Sequence, residues 1–225
     1  MHSEDQDNNL TINITKEEVN DLPLHRYDGP IKVIAKQEDL PGALEVIEKE
    51  SHVGFDTETR PSFSKGESYP TALLQLACRD HVFLFQLSWL QNLDPLFSIL
   101  EDPDLVKAGV AIRDDIRKLQ DLQPFAADGF LEISEFSQRA GIVNTGLRSL
   151  AAHYLGIRVS KGAQLTNWNR KRLSKSQLIY AATDAWVSRL LYDRMRDLGQ
   201  LAPNPPSGEN LDSSTIGCSV VSSSR

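Results

Sequence analysis

The chain has 225 residues, 40 % of them apolar and 24 % charged, with a formal net charge of −7. This is typical of a soluble protein and is enough chain to bury one core of ordinary to generous size. The opening Met1-His2-Ser3-Glu4-Asp5-Gln6-Asp7 is acidic and unlike a leader, and no apolar run nears the roughly 18 residues that cross a bilayer. Cys78 sits in an apolar run and Cys218 in a polar one, so no disulfide framework is expected, and a reducing, cytoplasmic setting follows.

In chain order, residues 1–13 read as disordered. Thr15-Lys16-Glu17-Glu18 is a capping-box pattern that predicts a short helix stopped by Pro23. A strand is expected over 31–35 and a helix over 41–49, where Ala43, Leu44, Val46 and Ile47 are apolar. Three strands follow over 53–59, 72–78 and 81–87, with Arg79-Asp80 short enough to be a hairpin turn despite lacking glycine. Then come a helix over 92–100, a buried strand over 105–110, a helix over 112–119, a short strand over 130–133, and a helix over 147–155 closed by Gly156. The last long helix opens at the capping-box pattern Ser174-Lys175-Ser176-Gln177 and runs to about residue 198, with Gly199 as its cap. Beyond it, Pro203, Pro205, Pro206 and many Ser, Gly and Asn read as a disordered tail over 201–225, whose loss should leave activity intact. Strands followed by alternating strands and helices predict an α/β sheet covered by helices, with the body over 14–200.

Charge is unevenly spread. Met1 to Gly29 holds seven acidic residues and two Lys/Arg, whereas Arg139 to Thr183 holds eight Lys/Arg and no Asp or Glu. A basic block in an acidic protein is a candidate electrostatic footprint for phosphates.

Asp56-Thr57-Glu58 ends the apolar run Val53-Gly54-Phe55. Strand side chains two apart share a face, so Asp56 and Glu58 project together and repel unless a cation lies between them. Such a pair suits Mg²⁺ or Mn²⁺. In the last helix Tyr180, Asp184, Val187, Leu191 and Met195 form one face, apolar except at its N-terminal end. An Asp heading an apolar stripe is costly unless paired or metal-bound. A third acidic position follows Leu105-Val106-Lys107-Ala108-Gly109-Val110, at the strand end where open α/β sheets place ligands. Periodicity alone does not choose there between Asp114 and Asp115.

Val53-Gly54-Phe55-Asp56-Thr57-Glu58-Thr59, Lys107-Ala108-Gly109-Val110 with Asp115 and Leu119, and Tyr180-Ala181-Ala182-Thr183-Asp184-Ala185 closely resemble the three motifs of the DEDDy 3′–5′ exonucleases. The likeness is nearest to ribonuclease D, the Werner helicase exonuclease domain and stand-alone bacterial proteins of that type. It spans roughly 31–198, and Leu165-Thr166-Asn167-Trp168 resembles the family's Ser-Asn-Trp segment with Thr for Ser. The resemblance implies a ribonuclease H-like, DnaQ-like fold with a mixed five-stranded sheet flanked by helices. It favours Asp115 over Asp114, and Tyr180 places the chain in the tyrosine subfamily, with Ile179 where the other subfamily has His.

The implied activity is 3′–5′ hydrolysis of a nucleic acid to 5′-mononucleotides, with two Mg²⁺ or Mn²⁺ ions about 3.5–4 Å apart. By resemblance, Asp56 bridges both ions, Glu58 and Asp184 complete one site, and Asp115 holds the second. Tyr180 orients the attacking water, and Glu58 with the Thr57 backbone contacts the terminal 3′-OH. Lys161, Arg170, Lys171 and Arg172 are the candidate substrate-binding cations. Trp168 is either a base-stacking or, by preference, a packed residue, Trp186 is expected in the core, and the loop holding Lys65 and Tyr69 either contacts substrate or is indifferent. Two other readings share the fold: an inactive nucleic-acid-binding scaffold, and an oligoribonuclease-like enzyme for short RNA. RNA and DNA are not distinguished by the residues, and no protein partner is implied.

Overall fold

The computed structural model describes residues 13–62 and 66–201. The disorder expected for 1–12 and 202–225, with Cys218, and the role weighed for Lys65 lie outside the described residues. Within them, six strands form one sheet: β1 (Ile31–Ile34), β2 (His52–Thr59), β3 (Thr71–Ala77), β4 (Val82–Gln86), β5 (Val106–Gly109) and β6 (Phe130–Glu132), in the order β1-β4-β3-β2-β5-β6. β3 runs antiparallel to β2 and β4, and the other neighbours are parallel. The resemblance implied five strands, and the sixth is the three-residue β6, which extends the β5 edge. Cys78 N–H donates to the His81 carbonyl at 2.9 Å, closing the expected β3–β4 hairpin without glycine.

The helices are α1 (Lys16–Asp21), α2 (Leu40–Ile47), α3 (Asp94–Glu101), α4 (Arg113–Leu122), α5 (Ile133–Arg139), α6 (Leu147–Leu150) and α7 (Lys175–Asp197). α6 widens into a π-type turn over Ala151–Leu155 and ends at Gly156, whose φ of 65° a residue without Cβ adopts freely. α5 follows β6 without a break and has no counterpart among the expected elements. Both expected capping boxes form, Thr15 with Glu18 and Ser174 with Gln177.

Strand alternation sorts the core. Val53, Phe55, Leu74, Leu76, Phe83 and Phe85 pack against α2, α3 and α4, while Leu73, Val82 and Leu84 face the α7 side. α7 crosses β2 and is clamped at the start of that strand. Arg189 there donates to the His52 carbonyl and pairs with Glu50 at 3.1 Å, and His52 meets Asp193 at 2.9 Å. Trp168 is fully buried against Tyr180, so it packs rather than presenting a face to a base, and Trp186 is half-buried beside Tyr27. Cys78 is buried and free, its thiol pushed up to about 12 by burial. Among the described residues no helix is long and apolar enough to cross a membrane.

Candidate active site

Three elements converge on the C-terminal half of β2. Asp56 and Glu58 leave the strand on the α7 side, as the alternation of Val53 and Phe55 into the opposite core requires. α7 comes close because Gly54 has no side chain: a Cβ there would lie 1.9 Å from the Ala185 carbonyl oxygen and 2.7 Å from the Arg189 nitrogen. That approach carries the buried Asp184 onto the pair. One carboxylate oxygen from each of Asp56, Glu58 and Asp184 lies within 4.8 Å of the others.

The fourth acid arrives along the sheet. β5 pairs with β2 only from His52 to Gly54, leaving the next residues of β2 open to the turn after β5. The first turn of α4 fills that opening, and the Thr57 hydroxyl donates to Asp115 Oδ1 at 2.7 Å. Asp114 points outward, exposed and paired with Arg117 at 3.1 Å. The turn is itself fixed. Ala111 holds a φ of 59°, rare for a residue with a Cβ. The Glu132 carboxylate accepts from the backbone N–H groups of Ala111 at 2.8 Å, Ile112 at 2.7 Å and Ser134 at 3.1 Å. Glu132 was not singled out from sequence. Its one signal there is an acid ending a strand next to the strand that carries the motif.

Crowding and burial shape the electrostatics. Burial raises the Asp56 carboxyl well above the usual carboxylate range, and repulsion from Asp184, Glu58 and Asp115 adds to it. Glu58 is pushed up to about 9 by burial, then by Asp184 and Asp115. Asp184 rises to about 6 through burial, held back by a hydrogen bond with Tyr180 and by the Arg148 charge. Asp115 is raised by burial and restrained by the Thr57 bond and Lys118. The Tyr180 phenol is lifted far above its ordinary range by burial and then by Asp184, so it remains a neutral hydroxyl. Buried carboxylates that repel one another are the oxygen-rich donor set a hard divalent cation satisfies, and the residues present fit one.

Asp56, Glu58, Tyr180 and Asp184 line a cleft of about 810 Å³, with Thr57 joining Asp115 to it. Its cations are Lys16, Arg148, Arg158 and Lys161, so of the four expected substrate-binding cations only Lys161 reaches it. Arg170, Lys171 and Arg172 do not line it. Gln86 Nε2 donates to the Arg170 carbonyl at 2.9 Å, and the register Glu58–Leu73–Gln86 puts Gln86 two strands, about 10 Å, from β2. Lys171 lies over the Trp89 ring, 5.6 Å from its centre. Arg148 and Arg158 belong to the basic block but are isolated in sequence among apolar neighbours, which hid them. Tyr69 is also off the cleft, with the Arg60 guanidinium 4.5 Å above its ring.

A 3′-5′ exonuclease family model matches residues 31–200, three quarters of the chain and every element from β1 to α7. The chain belongs to the 3′-5′ exonuclease family. Among curated relatives of this exonuclease-family chain, the mouse bifunctional 3′-5′ exonuclease/ATP-dependent helicase WRN is 30 % identical over 156 residues, covering 67 % of the chain and 11 % of the relative. Ribonuclease D of Gluconacetobacter diazotrophicus is 30 % identical over 183 residues, covering 78 % and 45 %. The chain thus spans less than half the length of these relatives. The fold is shared with the Aedes aegypti Nibbler EXO domain (TM-score 0.70, 24 % identity, 79 % of this chain and 92 % of that one). It is also shared with Escherichia coli RNase D (TM-score 0.67, 21 % identity, 76 % and 46 %).

Proposed function

We propose that this exonuclease-family chain hydrolyses nucleic acid from its 3′ end, releasing 5′-mononucleotides with Mg²⁺ or Mn²⁺ as cofactor. The observation that carries this is the meeting of Asp56, Glu58 and Asp184 oxygens within 4.8 Å, beside Tyr180 on the floor of a cleft with basic walls, with Asp115 held by the cleft-lining Thr57. Asp56, Glu58 and Asp184 would hold one divalent ion, and Asp115 with Asp56 a second. When bound, such ions activate a water and neutralise charge developing on the phosphate and the departing 3′ oxygen.

The chain's own groups do the rest. Thr57 fixes the Asp115 carboxylate through a 2.7 Å hydrogen bond. Tyr180, kept neutral, offers a hydroxyl that orients a water but is no base. Arg148, Arg158 and Lys161 counter the phosphates of a strand entering an otherwise acidic site. The catalytic unit is read as residues 14–200, and its setting as cytoplasmic, supported by the free, buried Cys78.

The test is mononucleotide release from matched single-stranded RNA, single-stranded DNA and recessed duplexes with Mg²⁺ or Mn²⁺. Release is expected on at least one substrate, to stop with a chelator and in Asp56→Asn. No release from any substrate in either metal overturns the reading.

A further inference from the structure

α1 lies outside the stretch that matches the family, yet it forms one wall of the cleft that holds the carboxylates. Nothing in its own packing explains its position, because it buries none of its residues. A helix of six residues is marginal alone, and the Thr15–Glu18 capping box holds its shape. Its place is set by the segment that follows. Arg158 N–H donates to the Pro23 carbonyl at 2.9 Å, His25 N–H donates to the Arg158 carbonyl at 2.8 Å, and Tyr27 N–H donates to Thr183 Oγ1 at 3.0 Å. The strap is therefore tied both to a cleft-lining arginine and to the residue before Asp184.

The helix is sorted by charge. Thr15, Lys16, Val19 and Asn20 line the cleft, whereas Glu17, Glu18 and Asp21 do not. Positions 16 and 20 are one turn apart and share a face. An otherwise acidic helix thus presents only its lysine and uncharged residues to the site. Sequence composition alone would have placed this acidic segment away from any polyanion.

We propose that the N-terminal strap is a substrate-binding wall, in which Lys16 pairs with a backbone phosphate of the bound strand and Asn20 hydrogen-bonds its sugar or base. The inference rests on the exonuclease reading for the identity of the ligand. It assigns α1 to binding and not to bond cleavage, since the acids on the cleft floor are supplied by β2 and α7.

The experiment compares Lys16→Glu with Glu17→Lys, adjacent substitutions of equal and opposite charge on an exposed helix. With a single-stranded oligonucleotide that wild type degrades, Lys16→Glu should raise KM about tenfold with kcat within twofold, and Asn20→Ala should raise KM about threefold. The slope of log KM against log salt should shrink by about 0.7 in Lys16→Ala, the signature of one lost phosphate contact on a single strand. Glu17→Lys should leave KM within twofold. Equal and opposite KM shifts in Lys16→Glu and Glu17→Lys, or an unchanged salt slope in Lys16→Ala, would overturn the wall in favour of a diffuse field effect or no role. Absence of hydrolysis by wild type would count against the exonuclease reading instead. Anisotropy of a labelled single strand would then decide the wall: a tenfold loss confined to Lys16→Glu supports it, and equal effects overturn it.

Discussion

Gly54 is where the fold and the site depend on the same atoms. In Gly54→Ala the new methyl would sit 1.9 Å from the Ala185 carbonyl oxygen, whereas ordinary contact begins near 3.4 Å. Both partners are backbone, in a central strand and in a 23-residue helix, so no side chain can swing aside. The helix must back away by roughly 1.5 Å against a close-packed interior. Overpacking of this kind costs about 1–3 kcal/mol, and here the upper end applies because Arg189 clamps the same helix to His52 and Glu50. Asp184 moves with the helix, and a misplacement of about 1 Å costs on the order of 10²-fold in rate. Urea unfolding followed by far-UV circular dichroism should show a lower midpoint with an unchanged slope, and kcat in saturating Mn²⁺ should fall about 100-fold. A variant with the wild-type midpoint and kcat within threefold would refute the claim that this close approach positions Asp184.

Three further outcomes are expected. Asp115→Asn should abolish turnover while Asp114→Asn, which loses only an exposed pair with Arg117, should keep most of it; steady-state assays of the two decide, and the reverse result overturns the placement of α4. Glu132→Gln should lower kcat about 10- to 100-fold with KM nearly unchanged, because an amide cannot accept all the backbone N–H groups that hold the strained turn before Asp115. Lys107 is fully buried, donates to the Asp102 carbonyl at 2.6 Å, and is lowered by burial from 10.5 to about 8. Its folded form therefore releases its proton first, so the unfolded chain binds more protons between pH 8 and 10.5 and stability rises with pH in that window. Denaturant midpoints of wild type minus Lys107→Met should climb across that window and be flat below it.

The sequence alone carried the parts of this protein governed by period and by short-range chemistry. Alternation in β2 put Asp56 and Glu58 on one face, the spacing of Tyr180, Asp184, Val187, Leu191 and Met195 defined the inner face of α7, and both capping boxes marked helix starts that form. The short strand expected over 130–133 forms as β6, three half-buried residues at the sheet edge, whereas α5 was hidden by starting directly where β6 ends. Proximity was the part no local pattern could encode. Only the packing of α7 onto Gly54 brings Asp184 to Asp56, and only the short β2–β5 pairing lets α4 present Asp115 and not Asp114. The cations of the cleft follow the same logic. Arg170, Lys171 and Arg172 cluster along the chain, but the cleft collects Arg148, Arg158, Lys161 and, from an acidic stretch over a hundred residues away, Lys16. Charge density in sequence measures neighbours along the backbone, whereas a phosphate meets neighbours in space, and those are set by how the strap and α6 fold over the sheet.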